Sequence, residues 1–509
     1  MIENNRTGRG KYVPGKTESP RFGAHSGHGT KWLNSRAQRH AKWWPFAACL
    51  LVACQSYQAE PLSPMGHGKA WSEQAFTRVS PGEFLQHWGH EAMAEGVEWD
   101  YTDGVSLAEG QLLGWAFNPE LRLLRMDSEL AEVRAMWSGR WQDPEFTFDL
   151  LRIDENVPDR WVIGQALQFT LPISGALAAQ TQLTDAEREG VQEQVHGAEW
   201  NLQLRIQEAW WAWSAAHMKA GELELYLGLL ERFSDQARAL GAAGEMPSTE
   251  ANLFVMEYSG RQAEMIGAAG EARFAEQDLR MLLGVAPDAP LDFQWELPER
   301  SEPLDTSMEQ VTGRNVTLAR LRQAYELAEI KVKLEIRRQY PDLALGPQIE
   351  SDAGQDRFGF AFSLPLAFWN RNRKAIEEAR VCRERARVAY DTGWEILAGR
   401  LRSAELRREA YAAQRELLKT EMVPLVDRQL AQALRLMEIG EGNSLVLLES
   451  LRGAHDTKLN LIKARHQEAL AGAVVLNLVG PAAPAAADNA AASRSATHRH
   501  VHPSQESNQ

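Results

Sequence analysis

The sequence predicts a mainly helical protein with a small membrane β part, built from one module that occurs twice. Three observations carry this prediction. Paired motifs recur at an offset of about 196 residues, each copy holds two strands of alternating polarity, and each copy holds a long segment with coiled-coil spacing. We expect three chains to close a twelve-stranded β-barrel that is continued by an α-helical barrel.

The duplication is visible in motifs that keep the same order in both halves of the chain. The pairs are NPELRLLR at Asn118 with NVTLARLR at Asn315, PEFTFDL with PDLALGP, the Leu-Pro sites at Pro172 and Pro365, GEMPS at Gly244 with GEGNS at Gly440, and LLGV with NLVG. They define a first module over 105–285 and a second over 315–480. The segment 286–314 contains four prolines and is predicted to be a connector.

Residues 1–53 are predicted to be a basic leader and a signal peptide. They hold nine Lys or Arg against two Asp or Glu. Their apolar end, residues 43–53, is about half the ~20 residues that a membrane-spanning helix needs. It runs into Leu-Val-Ala-Cys54, which resembles the bacterial lipoprotein signal, in which Cys54 receives the lipid and Gln55 favours the outer membrane. The alternative is an ordinary signal peptide with a chance cysteine.

Two other segments carry little pattern. Residues 54–104 are predicted to be an N-terminal arm that runs along the outside of the helical barrel. Residues 481–509 are rich in alanine, proline and serine and are predicted to be a disordered tail.

Composition narrows the function. Residues after 53 hold 46 basic and 67 acidic side chains, which argues against nucleic-acid binding because phosphate contacts need a basic footprint. The folded modules contain no nucleophile–base set, phosphate loop or metal-ligand cluster, so we expect neither an enzyme nor a cofactor. Cys382 is predicted to be a small packed residue.

Each module is predicted to begin with a helix of about 22–25 residues and to continue into two strands. Asn118 is a natural N-cap and Pro119 suits the first helical position. The strands are expected at about 145–153, 161–171, 342–350 and 358–366. They place large apolar residues on one face and small or polar residues on the other. Short polar turns are expected at 154–160 and 351–357.

After each Leu-Pro site the sequence predicts a very long helix. The segment 173–246 contains no proline and would measure about 105 Å as a helix. It returns through 248–284. Gly228 and Pro424 lie at matching positions of the two copies, where we expect a kink or swelling. A seam of residues steps by fours and threes: Leu202, Ile206, Ala209, Trp213, Ala216, Ala220, Leu223, Leu227 and Leu230.

Four strands cannot close a barrel, because small barrels need at least about eight, and hydrocarbon does not tolerate open edges. The chain must therefore assemble with copies of itself. A trimer supplies twelve strands, and the helices would continue the barrel below the membrane.

The region 105–480 resembles the TolC family of outer-membrane efflux channels. The resemblance rests on SLAEGQLLGWAFNPEL, both strand pairs, FTLPIS with FSLPLAFWNRNR, and the tips GEMPS and GEGNS. It implies a homotrimer, lipid-anchored in the outer membrane of a Gram-negative bacterium and reaching into the periplasm. Such a trimer is the passive exit duct of a tripartite pump, partnered by a periplasmic adaptor and an inner-membrane transporter of the resistance-nodulation-division type.

The same resemblance assigns residues. The tips match the family's adaptor-docking turns: Gly244, Glu245, Ser248, Gly440, Glu441, Asn443 and Ser444. Glycine can end one helix in a left-handed conformation, and serine or asparagine can cap the next. The family's acidic gate positions fall here on Val446 and Glu449, so only one carboxylate is present. Plain helix–helix turns and a plain surface glutamate are the alternatives.

Pro172 and Pro365 are predicted to mark the strand–helix junctions. Aromatic residues at the periplasmic strand ends fit either a membrane girdle or ordinary packing: Trp137, Trp141, Phe368 and Trp369.

WNRNR resembles the heavy-metal branch (cobalt–zinc–cadmium type), which suggests metal-cation efflux. Drug or small-solute efflux and type I secretion are alternatives. A non-pore periplasmic coiled-coil scaffold is another. The tail histidines His498, His500 and His502 are weak metal-ligand candidates.

Overall fold

In the computed structural model, the described residues are 57–72, 103–152, 154, 161–352, 355–365 and 369–481. The chain divides into two compact units, residues 1–66 and 67–509. The described residues of the first, 57–66, are exposed. A short helix, α1, spans Pro64–Ser72. The second unit contains both modules.

The two modules contain the same series of elements. The first has α2 (Leu107–Phe117), α3 (Pro119–Met136), β1 (Glu145–Arg152), β2 (Trp161–Leu171), α4 (Ala176–Ala243) and α5 (Ser248–Leu283). The second has α6 (Met308–Arg314), α7 (Val316–Arg337), β3 (Leu343–Asp352), β4 (Gln355–Ser363), α8 (Arg373–Leu417), a π-helical turn (Leu418–Met422), α9 (Val423–Glu438) and α10 (Ser444–Val479). The prediction of a mainly helical chain with a small antiparallel sheet is therefore confirmed.

Three element bounds differ from the expectation. Helix α3 has 18 residues, fewer than the predicted 22–25, and Gly139 just beyond it has a left-handed φ of 70°. The β3–β4 pairing continues to Asp352 and Gln355, so both strands reach into the predicted turn 351–357. Strand β4 ends at Ser363 rather than near 366.

The modules close on themselves through the same hydrogen bonds. Asn118 caps α3 by accepting from the Leu121 N–H at 3.0 Å, and its amide donates to the Leu282 carbonyl at 2.8 Å. In the second module Asn315 caps α7 and donates to the Leu478 carbonyl at 2.7 Å. Both asparagines are 4% exposed. Because buried polar groups need partners, both asparagines are satisfied at the same kind of junction in the two modules.

Helices lie side by side in two rows that share α4 and α8. Near the sheet the row is α3–α4–α7–α8. Farther from the sheet the row is α5, α4, α10 and a fourth position, which α8 and then its continuation α9 occupy. Helix α4 has 68 residues, about 100 Å at 1.5 Å per residue, and runs through both rows. Among the described helices, each row therefore contains four helices abreast and has two open ends.

The connector, residues 286–314, crosses one face of the row that lies farther from the sheet. The Ser301 N–H and hydroxyl donate to Glu468 of α10, and the Thr306 hydroxyl donates to Glu405 of α8. Earlier in the connector, Leu297 packs on Trp211 of α4.

The expected weak points of the two long helices behave differently. Before Pro424 the helix opens into a π turn, in which the Val423 N–H bonds to the Leu418 carbonyl. Proline lacks an N–H and clashes with the preceding turn, and the extra residue of a π turn relieves that clash. Gly228, by contrast, leaves α4 uninterrupted, because glycine keeps its N–H. The expected swelling therefore does not occur at Gly228.

Among the residues that the structure describes, no helix combines the length and the apolar character that a membrane crossing needs.

Candidate channel wall and helix tips

The sheet has one apolar face, and that face is exposed. Residues paired across antiparallel strands share a face. Phe148, Leu150 and Ile163 therefore lie on the same side as Leu345 and Ile349. Strand β4 adds Phe358, Phe360 and Phe362, which are 82%, 83% and 79% exposed.

The opposite face of the sheet is small and polar. One row across all four strands reads Thr147, Ala166, Gln348 and Gly359. The sheet therefore separates an apolar side from a polar side, as a wall between lipid and water requires.

Strands β2 and β3, which join the two modules, approach very closely. A side chain at Gly346 would overlap the Leu167 carbonyl oxygen. The next residue, Pro347, has no N–H to donate, and the pairing of β2 with β3 skips both positions. Glycine is thus required at this position by the packing of two backbones.

The two open edges of the sheet continue into the two open ends of the helical row next to it. The strand order β1–β2–β3–β4 leaves β1 and β4 at the ends, next to the end helices α3 and α8 in sequence. The end helix α3 carries an exposed apolar stripe at spacings of three and four: Leu123, Met126, Leu130, Val133 and Met136. The other end helix carries a second set: Val381, Val388, Ile396 and Leu406.

The two junction prolines, Pro172 and Pro365, lie just beyond the ends of β2 and β4. Pro172 follows directly on β2, and Ser174 beyond it donates its hydroxyl to Asp342 at 2.8 Å. This bond ties the junction of the first module to the start of β3. Pro365 follows β4 by two residues.

Aromatic side chains near these junctions are exposed. Trp137, Trp141 and Trp369 are 58%, 62% and 95% exposed, while Phe368 lies outside the described residues. The guanidinium of Arg140 lies 3.6 Å from the Trp137 ring centroid.

Each helix tip turns at a left-handed glycine. Gly244 has φ of 75° after α4, and Gly440 has φ of 76° after α9. Asn443 caps α10 by accepting from the Leu445 N–H at 2.9 Å. Ser248 is not a cap, because the N-cap of α5 is Pro247 and Ser248 is the first helical residue.

The other tip residues named above divide by exposure. Glu245 and Glu441 are exposed and Ser444 is 9% exposed.

The predicted gate residue Glu449 is exposed and has a cationic neighbour. Its side chain is 73% exposed and lies 3.8 Å from Arg452, one turn along α10. Arg452 also donates to Glu257 of α5 at 2.5 Å. The sequence did not single out this arginine, so the carboxylate that was expected to act alone is linked to a second helix.

Arg261 of α5 is the centre of a charged cluster, which we call the cross-module clamp: Glu257, Arg261, Glu264, Arg452 and Asp456. Arg261 donates to Glu257 at 2.9 Å, to Glu264 at 2.8 Å and to Asp456 of α10 at 3.1 Å. Burial alone would raise the pKa of Glu257, but the hydrogen bonds from Arg452 and Arg261 outweigh it and hold the pKa below the ordinary value. Glu257 is therefore an anion that binds two arginines.

The clamp lies against a buried aromatic pair. The rings of Tyr226 and His455 stack with centroids 4.1 Å apart and planes 8° apart. The Tyr226 hydroxyl contacts Glu257 at 3.3 Å, and Arg261 lies 5.6 Å from its ring centroid. Burial and the Glu257 charge raise the pKa of Tyr226. Helices α4, α5 and α10 thus meet at one packed, charged point above the tips.

Several predicted residues lie elsewhere. Cys54 and the histidines His498, His500 and His502 lie outside the described residues. Cys382 is exposed on α8, so the expectation that it packs is wrong for the single chain. It lies one residue from Val381, on the open end of the row.

Comparisons with known proteins identify the fold. No protein-family model matches the sequence, and no curated protein does. Solved structures match. CusC, described in a study of folding and transmembrane channel formation, is 14% identical; the match covers 77% of this chain and 96% of CusC with a TM-score of 0.64.

Two further solved structures are described as outer-membrane channels. CmeC of Campylobacter jejuni is 12% identical over 86% of this chain and 97% of its own, with a TM-score of 0.64. MtrE of Neisseria gonorrhoeae, solved in an open state, is 15% identical over 76% of this chain and 95% of its own, with a TM-score of 0.62. The chain has the fold of TolC-like outer-membrane channels.

Proposed function

We propose that this protein is the outer-membrane exit duct of a tripartite efflux pump, a passive homotrimeric channel rather than an enzyme. The observation that carries the proposal is that the sheet and both helical rows of the second unit all have open edges. Within the described residues, the sheet and both helical rows each end in two unpartnered edges, and a closed ring of identical chains satisfies all of them with one contact type.

Ring closure follows from the geometry of such a contact. The edge with β1 and α3 differs from the edge with β4 and α8, so copies must join head to tail, and head-to-tail contacts form rings when the rotation closes. Three copies give twelve strands, enough for a barrel, and twelve helices abreast in each row. In the row farther from the sheet, the two outermost helices carry opposite net charge, which favours contact between copies. Helix α8 holds eleven basic and eight acidic residues, whereas α5 holds three basic and six acidic.

The exposed face of the sheet supports insertion into the outer membrane. Soluble proteins rarely expose contiguous apolar patches beyond a few hundred Å². The phenylalanines of β4 alone extend such a patch to the edge of the sheet. Lipid is the partner that suits this face, and water or solute suits the opposite one.

The tips suit docking of a periplasmic adaptor, with an inner-membrane transporter of the resistance-nodulation-division type beyond it. Glu245 and Glu441 are exposed beside left-handed glycines, which presents short rigid turns to a partner. Glu449 would form a ring of three carboxylates at the entrance, each moderated by Arg452. Cys54 would be the lipid anchor.

Heavy-metal cations remain our proposed cargo on the sequence resemblance of WNRNR. A group of three or more metal-ligating side chains does not occur in the described part of the chain. Deleting the gene in its host and comparing growth on divalent metals and on several organic drugs tests the cargo directly.

The assembly is tested with purified full-length protein. We expect a trimer by native mass measurement and ion conductance in planar bilayers. Leu130→Asp, on the exposed stripe of α3, should lower the trimer fraction because it buries a charge at the contact. Leu225→Asp is the matched control, since Leu225 is 70% exposed on α4 within the row. A monomer without conductance would instead support a coiled-coil scaffold.

A further inference from the structure

A groove of about 610 Å³ lies between α8 and α10 of the second module. Arg400, Arg407 and Tyr411 line it from α8, and Leu470 and Val474 line it from α10. Spacings of seven and four residues place the α8 side chains on one face of the helix. We call this the two-arginine groove. Its volume is in the range of sites that bind small organic molecules, roughly 300–1,000 Å³.

In the described part of the chain, the two arginines have no carboxylate partner. Within the described residues, neither Arg400 nor Arg407 has a carboxylate oxygen within 4.0 Å or a side-chain hydrogen bond. Neighbouring arginines of the same helix do: Arg402 binds Glu405 at 3.2 Å and Arg415 binds Glu468 at 2.6 Å. The groove therefore presents two guanidinium groups, each able to bind a carboxylate or sulfonate through paired N–H donors.

The opposite side of the groove is apolar. Leu470, Val474 and Leu478 of α10 follow one another at spacings of four residues, and Val474 remains 45% exposed. A charged wall facing an apolar wall suits a ligand with one anionic group on an apolar body. A simple inorganic anion would leave the apolar wall uncovered.

The first module lacks this chemistry at the corresponding positions. At the offset of about 196 residues, Leu204 and Trp211 stand in place of the two arginines, and Asp278 stands in place of Val474. The shared fold therefore does not require arginine here. The basic groove is a property of the second module alone.

The groove and the connector lie on different sides of α8 and α10. The connector bonds to Glu405 and Glu468. At 100° per residue, Glu405 lies about 140° around α8 from the mean direction of Arg400, Arg407 and Tyr411. Glu468 lies about 120° around α10 from the mean direction of Leu470, Val474 and Leu478. In a ring that carries the connector on its outside, the groove faces the lumen.

We propose that the two-arginine groove binds amphipathic organic anions, a carboxylate or sulfonate on an apolar body, as a wall site for transported solute. The placement in the lumen rests on the proposed duct function, whereas binding itself does not. The site assigns organic anions to the cargo alongside the metal cations that the sequence suggests.

Octanesulfonate is the probe, because its charge does not titrate, and octyltrimethylammonium is the probe of opposite charge. Calorimetry on the full-length protein in detergent should detect octanesulfonate and not the cation. Arg400→Met and Arg407→Met should each raise the dissociation constant about tenfold, which corresponds to the loss of one charged hydrogen-bonding partner. Arg402→Met is the matched control, since Arg402 lies on the same turn but points away from the groove, and should bind as the original protein does.

Equal octanesulfonate affinity in the original protein and in the Arg400→Met/Arg407→Met double variant overturns the inference. So does a double variant that loses trimer while keeping affinity, because the arginines would then serve the contact between chains. Conductance measured on the same samples separates the two proposals. A conducting trimer without binding contradicts only the wall site, and binding without a conducting trimer contradicts only the duct.

Discussion

Glu257→Gln should loosen the cross-module clamp with little change in shape. In the structure Glu257 accepts from Arg261 Nε at 2.9 Å and from Arg452 Nη2 at 2.5 Å, and its side chain is 11% exposed. A glutamine has the same size but no charge, and its amide can accept only one of these bonds well. Hydrogen bonds to charged groups contribute about 1.5–3 kcal/mol each, roughly twice a neutral one.

The expected cost is about 2–3 kcal/mol for separating α5 from α10. One charged bond is lost and the other becomes neutral, while Arg261 keeps Glu264 and Asp456 as partners. Local opening near the tips should therefore become about 30- to 150-fold more frequent, because each 1.4 kcal/mol is a factor of ten.

Hydrogen exchange of the α10 amides around Arg452 and Asp456 measures this opening. Asp278→Asn, an exposed change on α5 far from the clamp, should leave the exchange rates as they are. If Glu257→Gln exchanges no faster than this control, the clamp does not hold the two helices together. In bilayers the same variant should show a higher open probability, provided that the tips form the entrance.

Three other outcomes are expected. Gly346→Ala should abolish correct pairing of β2 with β3, because the methyl group would overlap the Leu167 carbonyl oxygen; hydrogen exchange of the β2 and β3 amides measures it, and unchanged protection would show that the strands can adjust. Asn118→Ala or Asn315→Ala should each cost about 2–3 kcal/mol in unfolding by denaturant, since a helix cap and a bond to a buried carbonyl are both lost; equal stability would contradict the shared junction. Because the pKa of Glu257 is lowered in the folded protein, the clamp contributes stability above the ordinary value of 4.5 and loses it as pH falls through the folded value; protection of the α10 amides, corrected for the intrinsic pH dependence of exchange, should fall as the pH drops below 4.5 in the original protein and change less in Glu257→Gln.

Local chemistry made much of the fold predictable. The Asn118 cap with its following proline, the two-faced strands and the left-handed tip glycines each depend on a few adjacent residues. The Leu282 carbonyl that Asn118 binds is 164 residues away, so this contact could not be predicted from the residues next to Asn118. Helix α2 was not predicted, and Asn118 both ends it and caps α3.

The candidate site was predicted less fully because it depends on register between helices. Glu449 was identified by its position after the second tip, whereas the roles of Arg452 and Arg261 depend on the packing of α5 and α10 against α4, which brings their side chains together. Ser248 was predicted to be the N-cap of α5, but Pro247 holds the cap position and Ser248 is the first helical residue.

The clamp nevertheless leaves a trace in a duplicated sequence. In α5 the acid precedes the base, Glu257 then Arg261, and in α10 the base precedes the acid, Arg452 then Asp456, at the same spacing of four residues. The paired residues are 195 positions apart in both ion pairs, within one residue of the offset that relates the modules. Helices with identical charge order would have faced like with like, which is destabilising. The reversed charge order therefore lets α5 of the first module form ion pairs with α10 of the second module. The offset between the modules locates these positions from the sequence alone.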